Sequence, residues 1–152
     1  MIKIIFVCHG NICRSPMAEY IFKDMVKKAG VENRFEIQSA ATSREEIGND
    51  IYPPAKAKLK EKGIPFNRHQ ARRITEDDCC HFDYVILMDK NNAVNFGRMF
   101  GGAYTDKAYR LLDFADVPGD VADPWYTDDF ETAYRDIERG CRGLLKKLQN
   151  ID

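Results

Sequence analysis

Short apolar runs and stretches of helical periodicity alternate along the chain. Ile2 to Val7 is apolar except for Lys3, the pattern of a strand covered on both faces. Met17, Ile21, Phe22, Met25, Val26 and Ala29 then form one stripe. They predict a helix with Ser15 as N-cap, Pro16 in the first helical position and Gly30 just past the end. Phe35 to Ala41 reads as a second strand, and after a polar stretch from Thr42 to Asp50 the prolines of Tyr52-Pro53-Pro54 open a helix that stops at Gly63. A short helix is predicted at Glu76 to Cys80, a third strand at Phe82 to Met88, a helix at Lys90 to Met99 and a fourth strand at Arg110 to Phe114. A proline- and aspartate-rich loop, Asp116 to Asp128, leads to the strongest helical stripe, Phe130, Ala133, Tyr134, Ile137, Cys141, Leu144, Leu145 and Leu148. Asp128 and Glu131 have the spacing of a capping box at its start.

This alternation predicts an α/β fold: a three-layer α/β/α arrangement around a four-stranded parallel sheet, with residues 1–152 forming one domain. Ligands in such folds bind beyond the C-terminal ends of the strands. The chain carries a formal net charge of −1, which disfavours nucleic-acid binding by phosphate neutralisation. No apolar run approaches a membrane span, and the run at Ile2 to Val7 is too short for the apolar region of a signal peptide. Five scattered cysteines do not describe a disulfide framework, so a reducing, cytoplasmic setting is expected. With three histidines and no Cys-x-x-Cys or His-x-x-x-His pair, no metal site and no cofactor are expected. A small monomer is the default.

Between the first strand and the first helix runs Cys8-His9-Gly10-Asn11-Ile12-Cys13-Arg14-Ser15. Main-chain amides of such a turn, with the positive end of a helix, make an anion seat. Cys8 would stand at its floor, where Arg14 and the helix end favour the thiolate. The Arg14 fork matches two phosphate oxygens. Ser15 is placed to donate a hydrogen bond to sulfur. Gly10 and Asn11 suit positions with φ > 0. A lone cysteine at a strand end is ordinarily a small buried apolar residue. Here glycine, asparagine, arginine, serine and the strand-to-helix context converge on phosphate chemistry instead. A Walker loop is excluded, because the Gly-Lys-Ser/Thr ending is absent.

Val7-Cys8-x-Gly10-Asn11-x-Cys13-Arg14-Ser15-Pro16-Met17-Ala18-Glu19 resembles the signature of the low-molecular-weight protein tyrosine phosphatases. The likeness extends through Ser39-Ala40-Ala41, Gly63-Ile64, His69-x-Ala71-Arg72, Phe82-Asp83-Tyr84, Met88-Asp89 and Asp123-Pro124-Trp125-Tyr126. It implies hydrolysis of phosphotyrosine in proteins, and of aryl phosphates, through a phosphocysteine. Cys8 would be the nucleophile, Arg14 the clamp and Asp123 the general acid and then base. The phosphate would be held by the loop from His9 to Ser15, including Ile12 and Cys13, and phosphate or other oxyanions would inhibit. By the same resemblance Cys13 is a reversible disulfide partner of Cys8, His69 braces Asn11, and Asp89 supports the site. Trp125 and Tyr126 supply one pocket wall. His9 and Glu45 stand on the other side, where relatives often carry an aliphatic residue and an aromatic. Because Asp123 must be protonated while Cys8 is ionised, an acidic optimum is expected.

Three other readings compete. An arsenate reductase on the same fold needs relay cysteines after the third strand, and Met88 to Phe100 has none. Phosphoarginine phosphatases tend to carry threonine where Ile12 stands. A non-catalytic phosphate-binding module would not need Cys8, Arg14 and Asp123 together.

Overall fold

The computed structural model describes residues 1–149. Strand β1 (Ile2–Cys8) lies inside a parallel sheet, flanked by β2 (Phe35–Ala41) and β3 (Tyr84–Leu87), with β4 (Ala108–Arg110) beyond β3. Its side chains are apolar on both faces because both faces are covered. Ile4 and Phe6 enter a core shared with helices α1 (Arg14–Lys28), α2 (Pro53–Glu61) and α6 (Phe130–Gln149), where Phe6 and Phe22 meet edge to face at 5.8 Å. Ile5 and Val7 enter the second core with α3 (Glu76–His81) and α4 (Lys90–Phe100), packed against Cys79, Phe82 and Phe96. The expected three-layer α/β/α fold with four parallel strands is therefore present. Pairing runs Cys8↔Ala41 on one side of β1 and Val7↔Leu87 on the other. The chain turns opposite ways from β1, and the loop after Cys8 sits at that switch point.

Element boundaries differ from the expectations where side chains found other partners. Helix α1 begins at Arg14 rather than Pro16, with no side-chain cap at Cys13. Ser15 cannot cap it, because its hydroxyl is engaged by Asn11 and Cys8. The third strand is shorter than Phe82 to Met88, since Phe82 closes α3 and Asp83 binds back to Lys3. Residues Leu111–Phe114 are a 3₁₀ turn, and β4 precedes them. Leu111 and Leu112 are consecutive yet both buried in the same core, which a strand's alternation would forbid. Asp129, not Asp128, caps α6, accepting the Thr132 N–H at 3.0 Å and its hydroxyl at 2.6 Å. Asp128 adopts φ 58° and ends α5 (Pro124–Thr127), a helical turn within the stretch expected to be loop.

Two glycines let α6 press against the 3₁₀ turn that leads toward Asp123. A Cβ at Gly140 would lie 2.5 Å from the Leu111 side chain, and one at Gly143 only 1.8 Å from the Phe114 carbonyl oxygen. The second contact is with backbone and cannot yield. Gly143→Ala is expected to cost at least about 2–3 kcal/mol through overpacking, lowering Tm by roughly 5–10 °C. An unchanged Tm would contradict this close approach.

Candidate active site

The main chain after β1 turns its carbonyls outward. Cys8 O accepts from Thr42 N–H at 2.9 Å, His9 O from Ser43 N–H at 3.1 Å and Ile12 O from Tyr52 N–H at 2.9 Å. Cys13 O accepts from Met17 N–H at 3.1 Å. Asn11 O accepts from His69 Nε2 at 2.7 Å, so that nitrogen carries the proton. In a trans peptide the N–H points opposite to the C=O. The amides of His9, Gly10, Ile12, Cys13 and Arg14 are thereby turned away from these partners, toward the inside of the loop. Asn11 N–H points at Cys8 Sγ, 3.3 Å away.

Asn11 holds the loop in this shape. It adopts φ 60° and is fully buried, with every polar atom of its side chain bonded. Its Nδ2 donates to Ser15 Oγ at 2.8 Å and Ser39 Oγ at 3.0 Å, and its Oδ1 accepts from Arg72 N–H at 3.2 Å. Ser39 in turn donates to Glu19 at 2.6 Å, whose other oxygen accepts from Lys23 at 2.6 Å. Since Asn11 donates to Ser15, the Ser15 proton is left for Cys8 Sγ, 3.0 Å away, or for the Ala40 carbonyl oxygen at 3.4 Å. Gly10 departs from expectation: its φ is not positive, and a Cβ there would make ordinary contact at 3.4 Å with Glu46.

Arg14 is 2% exposed, with Nη1 donating to Asp89 at 2.8 Å and to Val121 O at 3.0 Å, and Nη2 to Asp123 at 3.3 Å. Its Nε–H and the second Nη2 hydrogen have no protein partner among the described residues. Burial works against the Arg14 charge, but Cys8, Asp123 and Asp89 outweigh it and hold the guanidinium above its ordinary range. Both carboxylates are also helix caps: Asp89 Oδ1 accepts from Asn92 N–H at 2.7 Å, and Asp123 Oδ1 from Trp125 N–H at 3.0 Å. Burial, with the charges of Cys8 and Asp123, pushes the Cys13 thiol up to about 12.

These groups surround a cavity of about 450 Å³. The backbone and side chains of Cys8, His9, Gly10, Ile12, Cys13 and Arg14 form one part of its lining. Glu45, Asp89, Asp123, Trp125 and Tyr126 complete the set expected from sequence. His9 Nε2 meets Glu45 at 2.9 Å, and Trp125 is backed by Tyr52 at 5.1 Å between ring centroids. Asn11, Ser15 and His69 stand behind the loop, not in the cavity wall. Sequence reasoning missed Glu46, Asn91, Asn92, Val94, Asn95 and Arg98 in the wall, and the Glu19–Ser39 link behind it. A carboxylate at Glu19, four residues from Ser15 on the inward face of α1, was an available signal for that link. Among the described residues no helix is long and apolar enough to cross a membrane.

A family model described as low molecular weight phosphotyrosine protein phosphatase matches residues 3–151. The chain belongs to that family. A low molecular weight protein-tyrosine-phosphatase of Bacillus subtilis, YfkJ, is 41% identical over 98% of this phosphatase chain and 97% of its own. The crystal structure of YfkJ superposes with a TM-score of 0.93, covering 98% of this chain and 95% of that one. The human low molecular weight phosphotyrosine protein phosphatase is 40% identical, over 95% and 94% of the two chains. A Drosophila arginine phosphatase, 29% identical, superposes with a TM-score of 0.90 over 99% of this chain and all of its own. The fold thus spans more than one leaving group.

Behind the loop of this phosphatase, Asp50 accepts from His69 N–H at 3.0 Å and Ile51 N–H at 2.7 Å and pairs with Lys56. The Lys56 hydrogen bond, helped by these amides, holds its carboxyl down to about 2. An unfolded aspartate titrates near about 3.9, so the stability Asp50 contributes is full above that value and lost as pH falls toward about 2. The Tm gap between wild type and Asp50→Asn is expected to be wide at neutral pH and to narrow as pH is lowered from about 5 to about 3. A pH-independent gap would contradict the assignment.

Proposed function

We propose that this phosphatase hydrolyses phosphotyrosine in proteins, and aryl phosphates, through a phosphocysteine on Cys8. The observation that carries the reading is the sulfur itself: Cys8 Sγ receives Asn11 N–H and lies 3.0 Å from the Ser15 hydroxyl, inside a loop whose carbonyls at Cys8, His9, Asn11, Ile12 and Cys13 are bound to partners outside it. The phosphoryl group would sit on the inward amides of His9 to Ser15, with the free Nε–Nη2 edge of Arg14 spanning two of its oxygens. Cys8 then attacks phosphorus in line with the ester oxygen, forming S–P as P–O breaks. Asp123 gives its proton to the departing phenolate oxygen, then takes one from the water that cleaves S–P. Asp89 keeps Arg14 in place, and His69 fixes the loop through Asn11 O. Trp125 and Tyr126 would face the substrate ring across from His9 and Glu45.

Cys13 is proposed as the redox partner. Peroxide would oxidise the Cys8 thiolate to a sulfenic acid, and attack by Cys13 sulfur would expel that oxygen as water, leaving a disulfide reducible by thiols. A cytoplasmic monomer acting on phosphoproteins, inhibited by phosphate and other oxyanions, completes the reading. Two alternatives fit the residues less well. Cys79 is buried in the second core and Cys80 contacts Tyr104, both outside the cavity, where relay cysteines of an arsenate reductase would be useless. The Ile12 side chain carries no hydrogen-bonding group for a phosphoarginine guanidinium.

Cys8→Ser is expected to abolish aryl phosphate hydrolysis. Asp123→Ala should lower kcat by roughly 10²–10⁴ for phenyl phosphate and much less for a nitrophenyl ester, whose leaving group needs little protonation. Equal losses for both esters, or faster turnover of a phosphoarginine peptide than of its phosphotyrosine counterpart, would overturn the assignment.

A further inference from the structure

Strands β2 and β3 lie on opposite sides of β1, so the segments that follow them flank the phosphate-binding loop from opposite sides. The two flanks differ in charge. After β2 the cavity is lined by Glu45, paired with His9, and by Glu46, bound to Asn49. After β3 it is lined by α4, which turns Asn91, Asn95 and Arg98 to the cavity, with Val94 among them. Spacings of four and three residues put these three on one helical stripe. The opposite side of α4 is fixed in the second core by Phe96, so the stripe cannot rotate away.

Arg98 is the unusual member. Arg14 is buried between two carboxylates, and His9 is paired. Arg98 is exposed and forms no hydrogen bond or ion pair with the described residues. Arg44, the cation on the β2 flank, does not line the cavity. A cationic edge thus faces an acidic one across the mouth of the site.

We propose that Arg98, with the side-chain amides of Asn91 and Asn95, forms a subsite for a carboxylate that flanks the phosphotyrosine in an acidic peptide substrate. The inference rests on the phosphotyrosine phosphatase reading and deepens it. A guanidinium fork matches a carboxylate, and the asparagine amides can donate to its remaining lone pairs. Glu45 and Glu46 repel the same carboxylate, so the peptide lies in one direction, its acidic neighbour over α4. Specificity then combines an attraction on one flank with a repulsion on the other.

The test uses phosphotyrosyl peptides that differ only in carrying glutamate, alanine or lysine next to the phosphotyrosine, on one side at a time. With the wild-type protein, kcat/KM should favour glutamate over lysine by roughly fivefold on one side only, and the ratio should shrink in high salt. Arg98→Gln should bring that ratio near unity and Arg98→Glu should invert it. Because each ratio is internal to one protein, partial loss of folding in a variant does not disturb it. The same ratio in wild type and both variants would overturn the subsite while leaving the phosphatase reading intact. If the wild-type protein hydrolysed none of the peptides, both would fall.

Discussion

A loop of main chain can hold an anion only if its own carbonyl oxygens look elsewhere. Around Cys8 the fold meets that constraint from several directions at once. Thr42 and Ser43 come from the end of β2, Tyr52 from the start of α2, and His69 from the segment before α3. Each satisfies a carbonyl that would otherwise repel a phosphate. Asn11 makes the arrangement rigid, since a buried residue at φ 60° persists only when its surroundings over-determine it. The parallel sheet matters to the site because it brings these donors to the end of one central strand.

Charge balance in the same space links the site to helix placement. A guanidinium as buried as Arg14 needs partners, and stripping one from a buried pair typically costs about 3–5 kcal/mol. Its partners Asp89 and Asp123 also cap α4 and α5. Whatever draws Arg14 or Asp123 toward a ligand therefore acts on the helix that carries Trp125 and Tyr126. Gly143 contributes from a distance, allowing α6 to seat against Phe114, just upstream of the chain leading to Asp123.

How much could be read from the sequence depended on how local the physics was. The loop from Cys8 to Ser15 was legible because amides, helix end, cysteine and arginine are contiguous, and Asn11 in the left-handed region followed from its residue type. Asp123 was reached through family resemblance; a lone Asp-Pro says little. Long-range partners were not legible. No local rule predicts that Ser15 serves Asn11 and Cys8 instead of capping α1, and that preference moved the helix start to Arg14. The fourth strand was misplaced because Leu111 and Leu112 look strand-like until their shared core is known. The capping residue of α6 slipped by one because Asp128 and Asp129 are chemically alike, and only the backbone turn at Asp128 distinguishes them. The cavity face of α4 escaped notice because Asn91, Asn95 and Arg98 look like an ordinary solvated stripe until the strand order puts them beside Cys8.

These features together support the proposal that the Cys8 sulfur receives a phosphoryl group. Rapid mixing of the protein with an aryl phosphate, followed by acid quench and mass spectrometry of its peptides, tests that claim most directly. The account predicts a phosphoryl adduct on the peptide bearing Cys8, formed as fast as the phenol is released and accumulating when its hydrolysis is slowed. Sustained release of phenol and phosphate with no adduct on Cys8, or with the label on another residue, would contradict it.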